Sequence, residues 1–274
     1  MLTPLRYPGS KTDFAETIHK VIQHADLTDR HFFEPYAGSA AVSLALVDSG
    51  TVRSATLVER DPLVYSFWYS LFNHPDDLIC EFQALPINLE TWHRLRPLLR
   101  IDEIDPKRVV ELGVAGLFFN RANFSGVMNA GPIGGLGQKS EYKIDCRTNK
   151  DDLIGRMLTI ASMADRFTVE FGDALEFIGR FKNRKNALFY VDPPYFEKGE
   201  SLYRYFYRHA DHKKLANMLK KSKFSWILSY DHHHVIEFLY SDFEVQKHLF
   251  RYSVHSPKKH DELLISNIDL PKRW

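Results

Sequence analysis

Asp192-Pro193-Pro194-Tyr195, placed directly after the apolar run Leu188-Phe189-Tyr190-Val191, is the strongest chemical signal in the chain. An acid, two prolines and an aromatic ring at a strand end lie where ligands bind an α/β sheet. A strand-ending turn is the plain alternative, since proline stops a hydrogen-bonded ladder. These residue types suit work on an amino group conjugated to a ring, such as that of adenine, whose delocalised lone pair makes it a poor nucleophile. A carboxylate at Asp192 and the carbonyl of Pro193 can each accept one N–H. Together they hold the nitrogen toward tetrahedral geometry, with its lone pair aimed at an electrophilic methyl carbon. The prolines stiffen the turn and place both acceptors in advance. Tyr195 offers a ring face to a base flipped out of its helix.

A second group of residues fits the donor of such a methyl group. Glu34-Pro35-Tyr36-Ala37-Gly38-Ser39 follows a short apolar strand and precedes a helical run. A dinucleotide site needs G-x-G-x-x-G for close approach to a pyrophosphate, and this loop has one glycine. S-adenosylmethionine carries no phosphate, so a single close approach near Gly38 suffices. Glu59 lies about 20 residues further on at a strand end, the usual place for a ribose-hydroxyl acceptor. Asp61 is the competing choice. Asp173 follows another strand and can accept from the donor's adenine amino group, or simply cap the next helix. No metal is required, because a sulfonium is itself a good leaving group.

These residues need a parallel sheet to bring them together, and the chain predicts one. Helix is expected at Asp13 to His24, Ala40 to Val47 and Leu63 to Phe72. Strands are expected at Phe32 to Glu34, Ala55 to Glu59, Thr168 to Phe171, Ala187 to Val191, Trp226 to Ser229 and Glu262 to Ser266. Strands alternating with helices argue for an α/β fold. Between His74 and about Arg166 the pattern is helical, with helices near Leu89 to Leu99, Lys107 to Asn120 and Asp151 to Arg166. A glycine-rich stretch from Gly126 to Gly137 interrupts it.

The chain has 274 residues, 44% of them hydrophobic and 26% charged, which allows a sizeable core. Cys80 and Cys146 have no zinc-like spacing and fit a reducing cytoplasm as free thiols. Met1 to Lys11 reads as structured rather than as a signal peptide, and no apolar run reaches the roughly 18 residues of a membrane span. The net charge of +1 does not announce a nucleic-acid binder, yet basic groups cluster locally. They are Arg94, Arg96 and Arg100; Arg204 and Arg208 with Lys213 and Lys214; and Lys220, Lys221 and Lys223. Lys258-Lys259-His260 is a further candidate for phosphates. Solvated faces are the alternative for each.

Read together, these motifs resemble the Dam-type, or D12 class, N6-adenine DNA methyltransferases, in the family's order and over almost the whole chain. Arg6-Tyr7-Pro8-Gly9-Ser10-Lys11 is similar to the family's donor-binding turn, which implies Tyr7 and Lys11 as donor contacts, with Ser10 where a second glycine is frequent. Phe33-Glu34-Pro35-Tyr36-Ala37-Gly38-Ser39 resembles the first methyltransferase motif. Glu59 stands where many members carry Asp. Asp192 to Tyr195 matches the catalytic tetrapeptide. Phe119-Asn120-Arg121-Ala122-Asn123-Phe124-Ser125-Gly126 resembles the Asn-Arg segment that leads into the DNA-reading loop, which implies Asn120, Arg121 and Asn123 as DNA contacts. A helix C-cap pairing is the alternative for Asn120 and Arg121.

The resemblance implies a Rossmann-like, mostly parallel sheet of seven strands. Residues 1–73 and 168–274 would form the S-adenosylmethionine-dependent domain, and 74–167 an inserted, mostly helical target-recognition subdomain. It implies double-stranded DNA as partner, a companion restriction endonuclease as a candidate second one, and a cytoplasmic, nucleoid-associated setting. Binding residues are implied at Glu34, Pro35, Gly38, Glu59, Asp173 and Asp192, with Asp192, Pro193 and Tyr195 catalytic. An RNA adenine is the alternative acceptor, and a catalytically idle DNA-binding protein on the same fold is the alternative of another class. His232-His233-His234 invites a metal reading, but adjacent residues point apart and a polar turn is preferred. Tyr203, Tyr205, Phe206 and Tyr207 either shield the flipped base or pack a loop.

Overall fold

Leu188–Val191 is buried along its whole length, as a central parallel strand must be when helices cover both sheet faces. The computed structural model describes residues 2–6, 12–251 and 259–271. In chain order its elements are α1 (Thr12–His24), β1 (His31–Glu34), α2 (Ala41–Asp48), β2 (Ser54–Glu59) and α3 (Pro62–Asn73). Four further helices follow: α4 (Pro75–Ala84), α5 (Leu89–Leu95), α6 (Val109–Ala122) and α7 (Lys150–Ala161). The chain then returns to the sheet with β3 (Phe167–Phe171), α8 (Ala174–Arg180), β4 (Leu188–Val191), α9 (Gly199–Leu202) and α10 (His209–Lys220). It closes with β5 (Ser225–Asp231), α11 (His234–Leu239), β6 (Glu244–Arg251) and β7 (Lys259–Ser266).

The seven strands lie in the order β3-β2-β1-β4-β5-β7-β6. β1 pairs in parallel with β2 on one side and β4 on the other, while β7 runs antiparallel between β5 and β6. This is the expected Rossmann-like, mostly parallel sheet. Strand order reverses between β1 and β4, so a crevice opens beyond their carboxyl ends. Glu34 ends β1 and Asp192 follows β4, which puts both acids at that switch point.

Side chains alternate across β4 as strand geometry requires. Leu188 and Tyr190 join an apolar core with Phe32, Leu57 and the α1, α3 and α6 side. Phe189 and Val191 join a second core with Phe177 of α8, Leu215 of α10 and Ile236 of α11. The helices of 74–167 share the first core, through Leu78, Trp92, Leu112, Phe118 and Leu153. Contact with α3 is closest at two α6 glycines. A Cβ on Gly116 would lie 2.5 Å from the Leu63 carbonyl oxygen, and one on Gly113 2.8 Å from that of Ser66.

Two predicted helices, α5 and α7, are shorter than expected, and α6 is shifted by two residues. α5 ends at Leu95, ahead of Pro97, and a 3-10 turn covers Arg96–Arg100. A proline inside a helix removes a donor and crowds the preceding turn. Pro106–Arg108 and Ala164–Arg166 are likewise 3-10 turns flanking α6 and α7. Elements beyond those expected are α4, α8, α9, α10, α11 and β6.

Candidate active site

The loop after β1 is held by its own backbone. Gly38 has φ 45° and Ala40 φ 48°, both left-handed, which only glycine adopts without cost. Gly38 N–H donates to Glu59 Oε2 at 3.0 Å, and Trp68 Nε1–H donates to the Gly38 carbonyl at 2.9 Å. Glu59 Oε1 accepts from the N–H groups of Arg60 and Asp61, each at 2.8 Å. The strand-end acid is thus fixed by three backbone donors. Burial still raises its pKa to about 7, against the pull of those donors.

Glu34 replaces the missing side-chain cap of α2, accepting from Ser43 N–H at 3.0 Å. Its carboxyl is 4% exposed. Burial pushes its pKa to about 8, opposed by the Ser43 hydrogen bonds and helped by the nearby charge of Asp192.

Asp61 and Asp173 both begin helices. Asp61 Oδ1 accepts from Leu63 N–H at 2.9 Å, and Asp173 Oδ1 from Leu175 N–H at 2.9 Å. Each also meets an arginine: Arg60 Nη1 is 3.0 Å from Asp173 Oδ2, and Arg204 Nη1 is 3.2 Å from Asp61 Oδ1. For Asp173 the capping alternative is therefore realised, while the residue still lines the cleft.

On the other side of the switch point, the turn after β4 is anchored from β5. Ser229 Oγ donates to Asp192 Oδ1 at 2.7 Å, and Phe196 N–H donates to Asp231 Oδ1 at 3.0 Å. Pro193 is buried between these anchors. The Tyr195 hydroxyl donates to Glu262 Oε1 of β7 at 3.3 Å, and its ring meets that of Tyr203 edge-on, with centroids 6.2 Å apart.

Both sides open into one cleft of about 1020 Å³. Its walls include Glu34, Pro35, Gly38, Glu59, Asp173 and Asp192, so six of the predicted positions converge. Pro194 lines it as well, and a strap of Leu202, Tyr203, Arg204, Tyr205 and Tyr207 lies across it. Besides the Arg204–Asp61 pair, further bonds hold the strap. The Tyr36 hydroxyl donates to that of Tyr207 at 3.0 Å, the Tyr205 hydroxyl to Asp102 Oδ1 at 2.7 Å, and Arg204 Nη2 to the Ile101 carbonyl at 2.9 Å. Ser229, Arg204 and Tyr36 were not singled out for these contacts by sequence. A lone serine in an apolar strand leaves no spacing signal.

In the Asn-Arg segment, Asn120 and Asn123 are fully buried and are taken up by partners within the protein. Asn120 Oδ1 accepts from Arg6 N–H and its Nδ2 donates to the Arg6 carbonyl, both at 2.6 Å. Asn123 Oδ1 accepts from Trp92 Nε1–H, and its Nδ2 donates to the Met128 carbonyl, both at 2.8 Å. Arg121 is half-buried and donates to the carbonyls of Arg147 and Pro4, at 2.8 and 3.3 Å. Burial, with Arg6 and Arg156 nearby, lowers its pKa to about 10. Arg204 likewise leaves its basic cluster, since its side chain is 7% exposed against Asp61. Of the three histidines, His232 meets Glu237, His233 meets Glu197 and caps α11, and the His234 ring lies against that of His233. Tyr7, Lys11 and Lys258 lie outside the described residues. Among the described residues no helix is long and apolar enough to cross a membrane.

Comparison with known proteins bears on residues 7–259, which match the model of the D12 class N6 adenine-specific DNA methyltransferases. No curated protein matches the chain by sequence. Similar solved structures include the candidate methyltransferase yhhF of Escherichia coli, at 14% identity and TM-score 0.38, covering 97% of this chain and 92% of that one. A candidate RNA methyltransferase of Pyrococcus horikoshii is 11% identical, with TM-score 0.40 over 96% and 84% of the two chains. An uncharacterized protein of Listeria monocytogenes serotype 4b is 8% identical, with TM-score 0.40 over 97% and 71%.

Proposed function

Because the chain belongs to the D12 class of N6 adenine-specific DNA methyltransferases, we propose that it methylates the N6 amino group of an adenine turned out of duplex DNA. S-adenosylmethionine, the methyl donor implied by the family, supplies when bound a methyl carbon on a sulfonium that departs as a neutral thioether. The observation that carries the proposal is the opening of Asp192 into the same cleft as Glu34, Gly38 and Glu59.

The residues present fit such a donor. Five carboxylates line the cleft: Glu34, Glu59, Asp61, Asp173 and Asp192. The two arginines there, Arg60 and Arg204, are paired with Asp173 and Asp61. Among the described residues, Glu34 and Glu59 form no ion pair, and burial raises the pKa of both. A cationic ligand bearing amino and hydroxyl donors restores the ionised form that burial disfavours. In this reading Glu59 accepts from ribose hydroxyls and Gly38 allows close backbone approach, while Tyr7 and Lys11 are further donor contacts that the family resemblance implies.

Asp192 and the Pro193 carbonyl accept the two N–H bonds of the adenine amine, and Tyr195 stacks on the flipped base. With the donor bound, the amine held by Asp192 and Pro193 would take the methyl group as the carbon–sulfur bond breaks, and its surplus proton would pass to solvent. In this reading exposed basic groups such as Arg94, Arg96 and Arg100 meet phosphates, so DNA binding weakens as salt rises.

Labelled S-adenosylmethionine incubated with mixed-sequence duplex DNA, and in parallel with structured RNA, tests this reading by nucleoside analysis. N6-methyladenine from the DNA is the expected product. Label in RNA alone would move the acceptor to RNA. Retained donor binding with no transfer to either would leave a binding protein on this fold.

A further inference from the structure

We infer that Ser229 is a positioning residue for Asp192, itself held by the buried hydroxyl of Tyr190. The inference rests on the reading that Asp192 accepts the substrate amine. β4 and β5 pair in parallel with Val191 opposite Leu228, so Ser229 stands beside Asp192 at the rim of the crevice. Its hydroxyl has one proton, and that proton goes to Asp192 Oδ1 at 2.7 Å. The Tyr190 hydroxyl lies 2.8 Å from the same serine oxygen, so there tyrosine must donate. The direction of the chain is therefore fixed, from Tyr190 through Ser229 to Asp192. Tyr190 and Asp192 can share one serine because residues two apart on a strand face the same side.

Packing alone does not account for the pair. Ser229 and Tyr190 are both fully buried, and the preceding β5 residues Trp226, Ile227 and Leu228 are apolar. Phenylalanine and alanine would fill these positions without burying two hydroxyls that need partners. The carboxylate gains two things from the chain. Its side-chain torsion, otherwise a broad two-fold well, is pinned at one oxygen. A donor also favours its charged form, which matters because a second acid, Glu34, lies on the opposite flank.

The test compares Ser229→Ala, Ser229→Thr, Ser229→Val and Tyr190→Phe with wild type and Asp192→Ala. Methyl transfer to duplex DNA is followed between pH 5 and 9, and donor affinity is measured by calorimetry. Ser229→Ala is expected to lower kcat on the order of 10- to 100-fold, the rate equivalent of one hydrogen bond to a charged group. Donor affinity stays within about threefold, as binding elsewhere in the cleft is untouched. The acid limb of the kcat profile moves to higher pH, because the carboxylate has lost a donor. Thr keeps the hydroxyl and restores most of the rate, whereas Val, its near-isostere, does not; this pair separates the hydroxyl from the packing. Tyr190→Phe loses less, about three- to tenfold, because it acts through the serine.

Wild-type kcat and pH profile in Ser229→Ala, or equal rates for Thr and Val, would overturn the inference. So would an equal loss of kcat and donor affinity. An inactive wild type, or an active Asp192→Ala, would instead remove the functional reading and this inference with it. Active wild type and inactive Asp192→Ala beside unaffected Ser229 variants would remove the positioning role alone.

Discussion

The sheet edge and the Asn-Arg segment contain similar polar residues and use them in opposite ways. At the sheet edge, Glu34, Glu59, Asp173 and Asp192 come from four strand ends and converge on one open cleft. In the Asn-Arg segment, Asn120 and Asn123 turn inward and satisfy backbone groups of Arg6 and Met128. The first arrangement leaves acids facing a space for a ligand. The second seals the joint between the N-terminal segment, α6 and the glycine-rich loop. A polar residue in a family motif can therefore border an open cleft or be consumed by backbone partners, and its position relative to that cleft distinguishes the two.

The sharpest contrast is between losing chemistry and losing the joint. Asp192→Ala should reduce kcat by about 1000-fold or more, roughly 4 kcal/mol of transition-state stabilisation. Donor affinity should change only a few-fold, measured by calorimetry beside the transfer assay. Near-normal turnover would sink the assignment of the amine acceptor.

Asn120→Ala should act on stability instead. It leaves the Arg6 N–H and carbonyl without their partner, at a cost of about 2–4 kcal/mol. Denaturant unfolding should show that loss, while turnover per folded molecule and base preference stay unchanged. A stable variant with altered target preference would return Asn120 to the recognition surface.

Gly116→Ala probes the α3–α6 contact that ties the insertion to the sheet. Its Cβ would meet the Leu63 carbonyl at 2.5 Å, and overpacking of this kind costs about 1–3 kcal/mol. Unfolding should remain one transition with a lower midpoint. Separate loss of the helices would show that 74–167 is an independent unit.

The smallest effect is expected at Glu34, and it depends on pH. The folded carboxyl titrates near 8 and an ordinary one near 4.5, so its contribution to stability is full below 4.5 and is lost as pH rises through 8. Glu34→Gln has no such loss. Its Tm relative to wild type should therefore improve by a few degrees between pH 5 and 8.5, while donor binding weakens. Parallel Tm curves for the two proteins would show that Glu34 is already ionised at neutral pH.

How much could be read in advance differs between these regions for a physical reason. Strand ends in a parallel sheet have a common destination, so alternating strands and helices were enough to gather Glu34, Gly38, Glu59, Asp173 and Asp192 around a crevice. The helical insertion has no such rule. Nothing local tells a buried asparagine near a helix end from an exposed one. β6 is not legible because Gln246-Lys247-His248 breaks the period-2 alternation that marks a strand, and α8 and α10 because short or highly charged helices have little apolar pattern.

By itself the sequence determined the Asp192-Pro193-Pro194-Tyr195 turn, the glycine loop after β1, the α/β class and the family, because each is set by residue types at fixed local spacing. The tertiary structure decided which groups hold Asp192, why Arg204 is buried against Asp61, and why Asn120 and Asn123 face inward. Those outcomes depend on contacts such as Trp92–Asn123, Ser229–Asp192 and Arg204–Asp61, which are 31, 37 and 143 positions apart, and no local pattern encodes such distances.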